Sequence, residues 1–142
     1  MQRIELVEVG PRDGLQNEQM IVATADKVEL IRRAIAAGAR RIEIASFVNP
    51  RRVPQMADAE DVVAMLGAVP EVTRIGLVMN ERGAERAIVC GIDQLGAVTV
   101  ASDTFAIRNQ GQTSDESVDA AEAIIAMARA AGRSAQVTIG AA

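Results

Sequence analysis

Strand-like runs and helical stripes alternate along this chain, and that alternation limits its fold more than any other feature. Branched aliphatic residues concentrate in residues 4–9, 41–47, 73–79, 95–101 and 136–139. The stretches between them have helical spacing. Val28, Ile31 and Ile35 recur at i, i+3 and i+7 within residues 25–37. Val62, Val63 and Leu66 share a face within residues 58–69, and a short helix is predicted over 81–90. Val118, Ala121, Ile125 and Ala128 mark one side of a helix reaching residue 131. Gly38, Gly91 and Gly132 each follow such a stretch, where a left-handed backbone ends a helix without a Cβ clash. Thr24 is the expected N-cap of the first helix, and Thr113-Ser114-Asp115-Glu116 has the T-x-x-E form of a capping box.

Five strands alternating with four helices indicate parallel βαβ units joined by right-handed crossovers. Two architectures satisfy that pattern. One is a flavodoxin-like doubly wound sheet, which closes at about this length. The other is part of a (β/α)8 barrel, which needs about 250 residues. The length of 142 residues, taken alone, favours the first.

Composition removes several functions. There is no His, which excludes a Ser-His-Asp triad, a Cys-His dyad and any His-ligated metal within these residues. A single Cys excludes an internal disulfide and a C-x-x-C cluster; Cys90 fits a reducing compartment and reads as a small packing residue. Net charge is −4 and the only aromatics are Phe47 and Phe105, so nucleic acid is not an expected partner. No apolar stretch approaches the ~20 residues that span a bilayer, and residues 1–20 lack the apolar core of a signal peptide. A soluble, cytoplasmic protein with no membrane partner is expected. Neither G-x-G-x-x-G nor a Walker A string occurs.

In both architectures ligands bind beyond the C-terminal ends of the strands. The first strand leads into Gly10-Pro11-Arg12-Asp13-Gly14-Leu15-Gln16-Asn17-Glu18. Arg12 and Asp13 offer a cation and an anion on one loop; as a simple surface pair they would contribute about 0–1 kcal/mol. Glu43 interrupts the apolar run Ile42-Glu43-Ile44-Ala45, where a carboxylate is costly unless paired or metal-bound, or unless the strand is an edge facing solvent. Ser46 reads equally as a substrate ligand or a strand-end hydrogen bonder. Asp103 and Asn109 read as loop residues. Met20, Met56, Met65, Met79 and Met127 read as core fillers.

The longer strings carry a resemblance. Val9 through Glu18 resembles the first-strand motif of the 3-hydroxy-3-methylglutaryl-CoA lyase family. Ser46-Phe47-Val48-Asn49-Pro50, continuing to Val53-Pro54-Gln55-Met56-Ala57-Asp58, resembles its second-strand signature. Ala101-Ser102-Asp103-Thr104-Phe105 through Asn109 is similar to its fourth loop, with Asp103 where the family often has Glu. Arg-Asp-Gly alone is shared with isopropylmalate and homocitrate synthases; the longer strings point to the lyases. Gln19 stands where the family often has Lys, so a CoA-phosphate contact from that position is not carried over.

This resemblance reverses the length argument. It implies a (β/α)8 TIM barrel binding Mg2+ or Mn2+, with residues 1–142 as a single partial domain cut in or just after its fifth strand. It also implies roles. Asp13 would ligate the metal and assist proton removal. Arg12 would polarise the thioester carbonyl and stabilise the enolate. Glu43 would organise the site, and Gln16 and Ser46 would join Arg12 in binding an acyl-CoA substrate. The reaction would be a retro-Claisen cleavage of 3-hydroxy-3-methylglutaryl-CoA to acetyl-CoA and acetoacetate, in leucine breakdown. The family's His-x-His pair falls on a late strand, followed by a later Asn, and its catalytic Cys on a late loop, so the metal site is incomplete here and this chain alone is expected to be inactive. Open sheet edges imply self-association or association with a C-terminal half. Two other readings stay open. One is a Claisen-type acyltransferase of the isopropylmalate synthase branch, which the Gly-Leu-Gln-Asn string opposes. The other is a non-enzymatic half barrel, which the absence of His favours.

Overall fold

The apolar runs pair as parallel strands, and the intervening stretches cross between them as helices. A computed structural model describes residues 4–141. The strands are β1 (Arg41–Ser46), β2 (Thr73–Val78), β3 (Gln94–Val100) and β4 (Ser134–Gly140). The helices are α1 (Thr24–Ala36), α2 (Ala59–Leu66), α3 (Glu81–Val89), α4 (Asp103–Gln110) and α5 (Ser114–Ala130). A single wide turn of π-helix covers Gly10–Gly14, and a 3₁₀ turn covers Pro54–Met56.

The sheet order is β1-β2-β3-β4 and every pair is parallel. Each crossover therefore advances one position in the same direction. A doubly wound sheet reverses direction at a switch point; this sheet has no reversal, which removes the flavodoxin-like alternative. Its polar face is also concave. Arg41 Nη2 on β1 donates to Gln94 Oε1 on β3 (2.5 Å) and to Gln136 Oε1 on β4 (3.0 Å). β4 lies three strand positions, about 14 Å, from β1. Side chains standing near-perpendicular to a sheet converge over that span when the sheet curls toward them. The result is a sector of a barrel.

Two expectations need correction. The expected strand over residues 4–9 is reduced to one parallel bridge, Glu8 to Ile42. Glu8 N donates to the Arg41 carbonyl and Glu43 N to the Glu8 carbonyl, both at 2.9 Å. Ile4 and Leu6 beside this bridge are 84% and 85% exposed. Conversely, Asp103 and Asn109 lie in α4 rather than in a loop. Ser102 Oγ accepts from Phe105 N at its start, and Gly111 ends it at φ +72°.

The buried stripes are mostly those expected. Val28 and Ile31 of α1, and Val62, Val63 and Leu66 of α2, pack on Ile42 and Ile44 of β1 and their neighbours. In α5 the buried set is Ser117, Ala121, Ile124 and Ala128, one step round from the expected stripe. Ser117 can lie inside because its hydroxyl accepts from Val100 N and donates to the Ser114 carbonyl. Val118 is left half-exposed. The expected capping box at Thr113 forms in both directions. Thr24 does not cap α1; it is the first helical residue, and its hydroxyl donates to Asp58 Oδ2 at 2.7 Å. Met56 is buried, whereas Met20 and Met65 are exposed.

Two features fix the sheet against its helices. The Phe47 ring lies over β2, where a Cβ on Gly76 would stand 2.7 Å from ring atom Cε2. Gly76→Ala is accordingly expected to destabilise the fold by about 1–3 kcal/mol, read by urea unfolding. The other feature is Arg74, buried near the start of β2. Its guanidinium donates to both Asp93 oxygens and to the carbonyls of Gly67 and Gly91. Those glycines follow the last residues of α2 and α3, so one cation serves two helix C-termini. Burial pushes the Asp93 carboxyl up, but the Arg74 hydrogen bonds outweigh it and hold the group below its ordinary range.

Candidate functional site

Arg12 is carried by the wide turn that follows the Glu8 bridge. Glu8 Oε1 accepts from Gly10 N at 2.7 Å, and Val9 O accepts from Asp13 N at the same distance. Pro11 is buried at the start of the turn, where its missing N–H costs nothing. This geometry directs Arg12 onto β1. Arg12 Nε donates to Glu43 Oε2 at 2.8 Å, Nη2 lies 2.7 Å from the same oxygen as an ion pair, and Nη1 donates to Asp13 Oδ1 at 3.0 Å.

The trio is graded in exposure. The Glu43 side chain is 8% exposed, Arg12 15% and Asp13 59%. Glu43 is therefore neither a solvent-facing edge residue nor an unpaired charge: its interior cost is met by a cation 31 residues away in sequence. A guanidinium has five N–H groups. Nε and Nη1 each commit one and Nη2 lies against Glu43 Oε2, so one on each terminal nitrogen is left without a partner among the described residues. That is a fork suited to an oxygen that gains negative charge.

Gln16 and Ser46 show a different signal. Among the described residues three buried side-chain polar atoms lack a hydrogen-bond partner: Gln16 Oε1, Arg41 Nε and Ser46 Oγ. Buried polar atoms are almost always paired. Two of these three belong to residues expected to bind substrate, and both lie at the C-terminal side of the sheet. Neither is hydrogen-bonded to Arg12.

The remaining strand-end residues have local duties. Asn80 caps α3 by accepting from Gly83 N, and Asp103 Oδ1 accepts from Ser114 N. Asn109 donates to the Phe105 carbonyl, and Thr138 is exposed on β4. A cavity of about 640 Å³ opens beside Phe47, Asn80 and Arg86 but does not reach Arg12. Arg86 is held there by Glu60 at 2.6 Å and by the Phe47 and Val48 carbonyls. Burial pushes the Cys90 thiol up, with Glu60 adding to it, so Cys90 has the character of a packing residue.

One buried ion pair escaped sequence reasoning. Lys27 is buried and pairs with Asp58 at 2.6 Å, and it also donates to the Gln55 carbonyl. Its only signal was a lysine next to Val28 on the buried face of a helix.

Parallel βα units wound in one direction, with an ion-paired turn over the C-terminal strand ends, define a barrel enzyme's ligand-binding end. The family model described as HMGL-like matches residues 3–142, and the chain belongs to that family. A Pseudomonas aeruginosa protein named 3-hydroxy-3-isohexenylglutaryl-CoA/hydroxy-methylglutaryl-CoA lyase is 44% identical over 107 residues, 75% of this chain and 36% of that protein. The crystal structure of the HMG-CoA lyase from Brucella melitensis superposes with a TM-score of 0.92 at 37% identity, covering 98% of this chain and 49% of its own. An Acinetobacter baumannii HMG-CoA lyase in complex with coenzyme A and 3-methylmalate gives a TM-score of 0.89 at 32% identity, covering 95% and 44%. The chain thus spans between about a quarter and a half of the relatives it matches, and its sheet corresponds to part of their TIM barrel.

Proposed function

We propose that residues 1–142 form the first part of one (β/α)8 domain whose completed site cleaves a 3-hydroxyacyl-CoA, with 3-hydroxy-3-methylglutaryl-CoA as substrate and acetyl-CoA and acetoacetate as products. One observation carries this reading. Arg12 is held by buried Glu43 beside exposed Asp13, with two N–H groups unpartnered among the described residues, in a chain of the HMGL-like family.

Retro-Claisen cleavage removes a proton from the tertiary 3-hydroxyl. The C2–C3 bond then breaks, and its electrons pass into the thioester as an enolate, which is protonated to acetyl-CoA. Arg12 faces the thioester oxygen, where charge develops. Glu43 fixes the guanidinium plane, so little reorganisation is needed as that charge appears. Asp13 assists removal of the hydroxyl proton. Gln16 and Ser46 offer their unpaired oxygens to the polar end of the acyl chain.

A divalent Mg2+ or Mn2+ ion belongs to this proposal as a Lewis acid for the hydroxyl. Asp13 suits it as one hard oxygen donor. Glu43 is committed to Arg12, and among the described residues no three His, Cys, Asp or Glu side chains gather. These residues do not make a metal site alone, so the other donors must come from beyond them. The exposed Ile4 and Leu6 at one edge, and Val137 and Ile139 at the other, are the surfaces on which the rest of the barrel, or a second copy, packs. A cytoplasmic setting and a place in leucine breakdown complete the reading. No helix among the described residues is long and apolar enough to cross a membrane.

The test is reconstitution. The chain is co-expressed with the C-terminal half of the Pseudomonas aeruginosa relative and assayed for acetoacetate with Mg2+ or Mn2+. The expected result is no appreciable turnover by the chain alone and metal-dependent acetoacetate from the pair. Release of CoA from acetyl-CoA and a 2-keto acid would instead favour the synthase branch. A pair that assembles but does neither reaction would support the non-enzymatic half barrel.

A further inference from the structure

The Val53-Pro54-Gln55-Met56-Ala57-Asp58 string supplies none of the groups placed around the substrate, yet its central amide is almost fully enclosed. Gln55 is 3% exposed. Its Oε1 accepts from Val22 N at 2.9 Å. Its Nε2 donates to the Met20 carbonyl at 2.9 Å and to the Glu18 carbonyl at 3.3 Å. One carboxamide thus serves three backbone groups within five residues, all on the segment that leaves the Arg12–Asp13 turn.

The rest of that turn is already fixed. The Glu8 bridge and the Glu8–Gly10 hydrogen bond hold its approach. Asn17 Nδ2 donates to the Asp13 carbonyl, and Glu18 N to the Leu15 carbonyl, so residues 13–18 are tied to one another. Only the exit needs an external anchor, and Gln55 supplies it. Gln55 is fixed in turn: its own carbonyl accepts from Lys27 Nζ, which also pairs with Asp58, while Asp58 accepts from Thr24 on α1.

We infer that Gln55 is a positioning residue for the active-site turn: its carboxamide clamps Glu18–Val22 so that Arg12 stays seated on Glu43. The functional meaning of that seat rests on the lyase reading, but the clamp itself can be read without substrate or metal. A carboxylate at position 55 would keep the acceptor for Val22 N and lose both donors, placing an oxygen against the Glu18 and Met20 carbonyls.

The experiment follows solvent exchange in the 142-residue chain by ¹⁵N NMR. The reporters are the Arg12 Nε–H and the Val22 amide, with the Ile75 and Leu77 amides of β2 as fold controls. In Gln55→Ala, exchange at Arg12 Nε–H and at Val22 is expected to rise at least about tenfold while β2 stays protected. Gln55→Glu is the second variant, for the case in which the alanine form loses β2 protection. It should release Arg12 while disturbing Val22 less. If Arg12 Nε–H exchange is unchanged in a variant whose β2 amides remain protected, the inference is overturned, even if Val22 loosens. Failure of the acetoacetate assay would bear on the lyase reading and leave this result standing.

Discussion

Arg12→Gln, introduced into the reconstituted barrel, is expected to lower kcat about 100- to 1000-fold, the usual effect of removing a preorganised donor to a developing oxyanion. The glutamine amide can still reach Glu43, so the buried carboxylate is not stranded and the loss is not simply one of folding. What disappears is the cation and its two unengaged N–H groups. KM should change far less than kcat, because the charge Arg12 opposes arises in the transition state. Arg12→Lys is the sharper control. It keeps the charge but not the planar fork that joins Glu43 on one side and Asp13 on the other, so most of the loss should remain. Glu43→Gln should cost less, since it loosens the guanidinium without removing it. Initial rates of acetoacetate formation at saturating acyl-CoA measure all three. An Arg12→Gln form with near-normal kcat would show that the guanidinium does not face the reacting thioester.

The same residues show how far the sequence could be read. Glu43 was legible as an anomaly, a charge inside an apolar run, but nothing local could name its partner. The Arg12 turn and β1 meet only because the Glu8 bridge lays one beside the other. β1, β2 and β3 fall within a residue of their expected limits, since buried parallel strands carry their β-branched signal in every residue. β4 begins two residues earlier than expected, at Ser134, where polar and small residues carry no such signal. The run over residues 4–9 has the composition of a strand but holds only one bridge. The helix α4 failed in the opposite way. Only Ala106 is buried, so no apolar stripe marks it. Gln55 was hidden for a chemical reason: an amide that binds only backbone leaves no pattern among neighbouring side chains.

The second large effect concerns the fold that holds the site. Arg74→Met is expected to lower the unfolding free energy by about 3 kcal/mol, at the low end for breaking a buried pair because Asp93 remains a third exposed. Against a total of about 5–15 kcal/mol for a domain, that is a large fraction. The loss has two parts: the partly buried Asp93 carboxylate loses its hydrogen-bonded cation, and the Gly67 and Gly91 carbonyls lose their donor. The pH dependence separates them. In the native chain Asp93 lies below its ordinary range, so it adds stability above the unfolded aspartate pKa and that stability is lost as pH falls through the folded value. In Arg74→Met the side-chain hydrogen bonds and charge of Arg74 are gone, so burial of Asp93 is opposed only by the residue-74 backbone N–H and by Arg133, and its charged form is less favoured than in the native chain. The gap between the two stability curves should therefore narrow as pH falls below about 4, down to the part owed to the two glycine carbonyls. Urea unfolding across pH 3–7 measures this. Parallel curves would assign the loss to the two glycine carbonyls, and thus to the ends of α2 and α3 rather than to the ion pair.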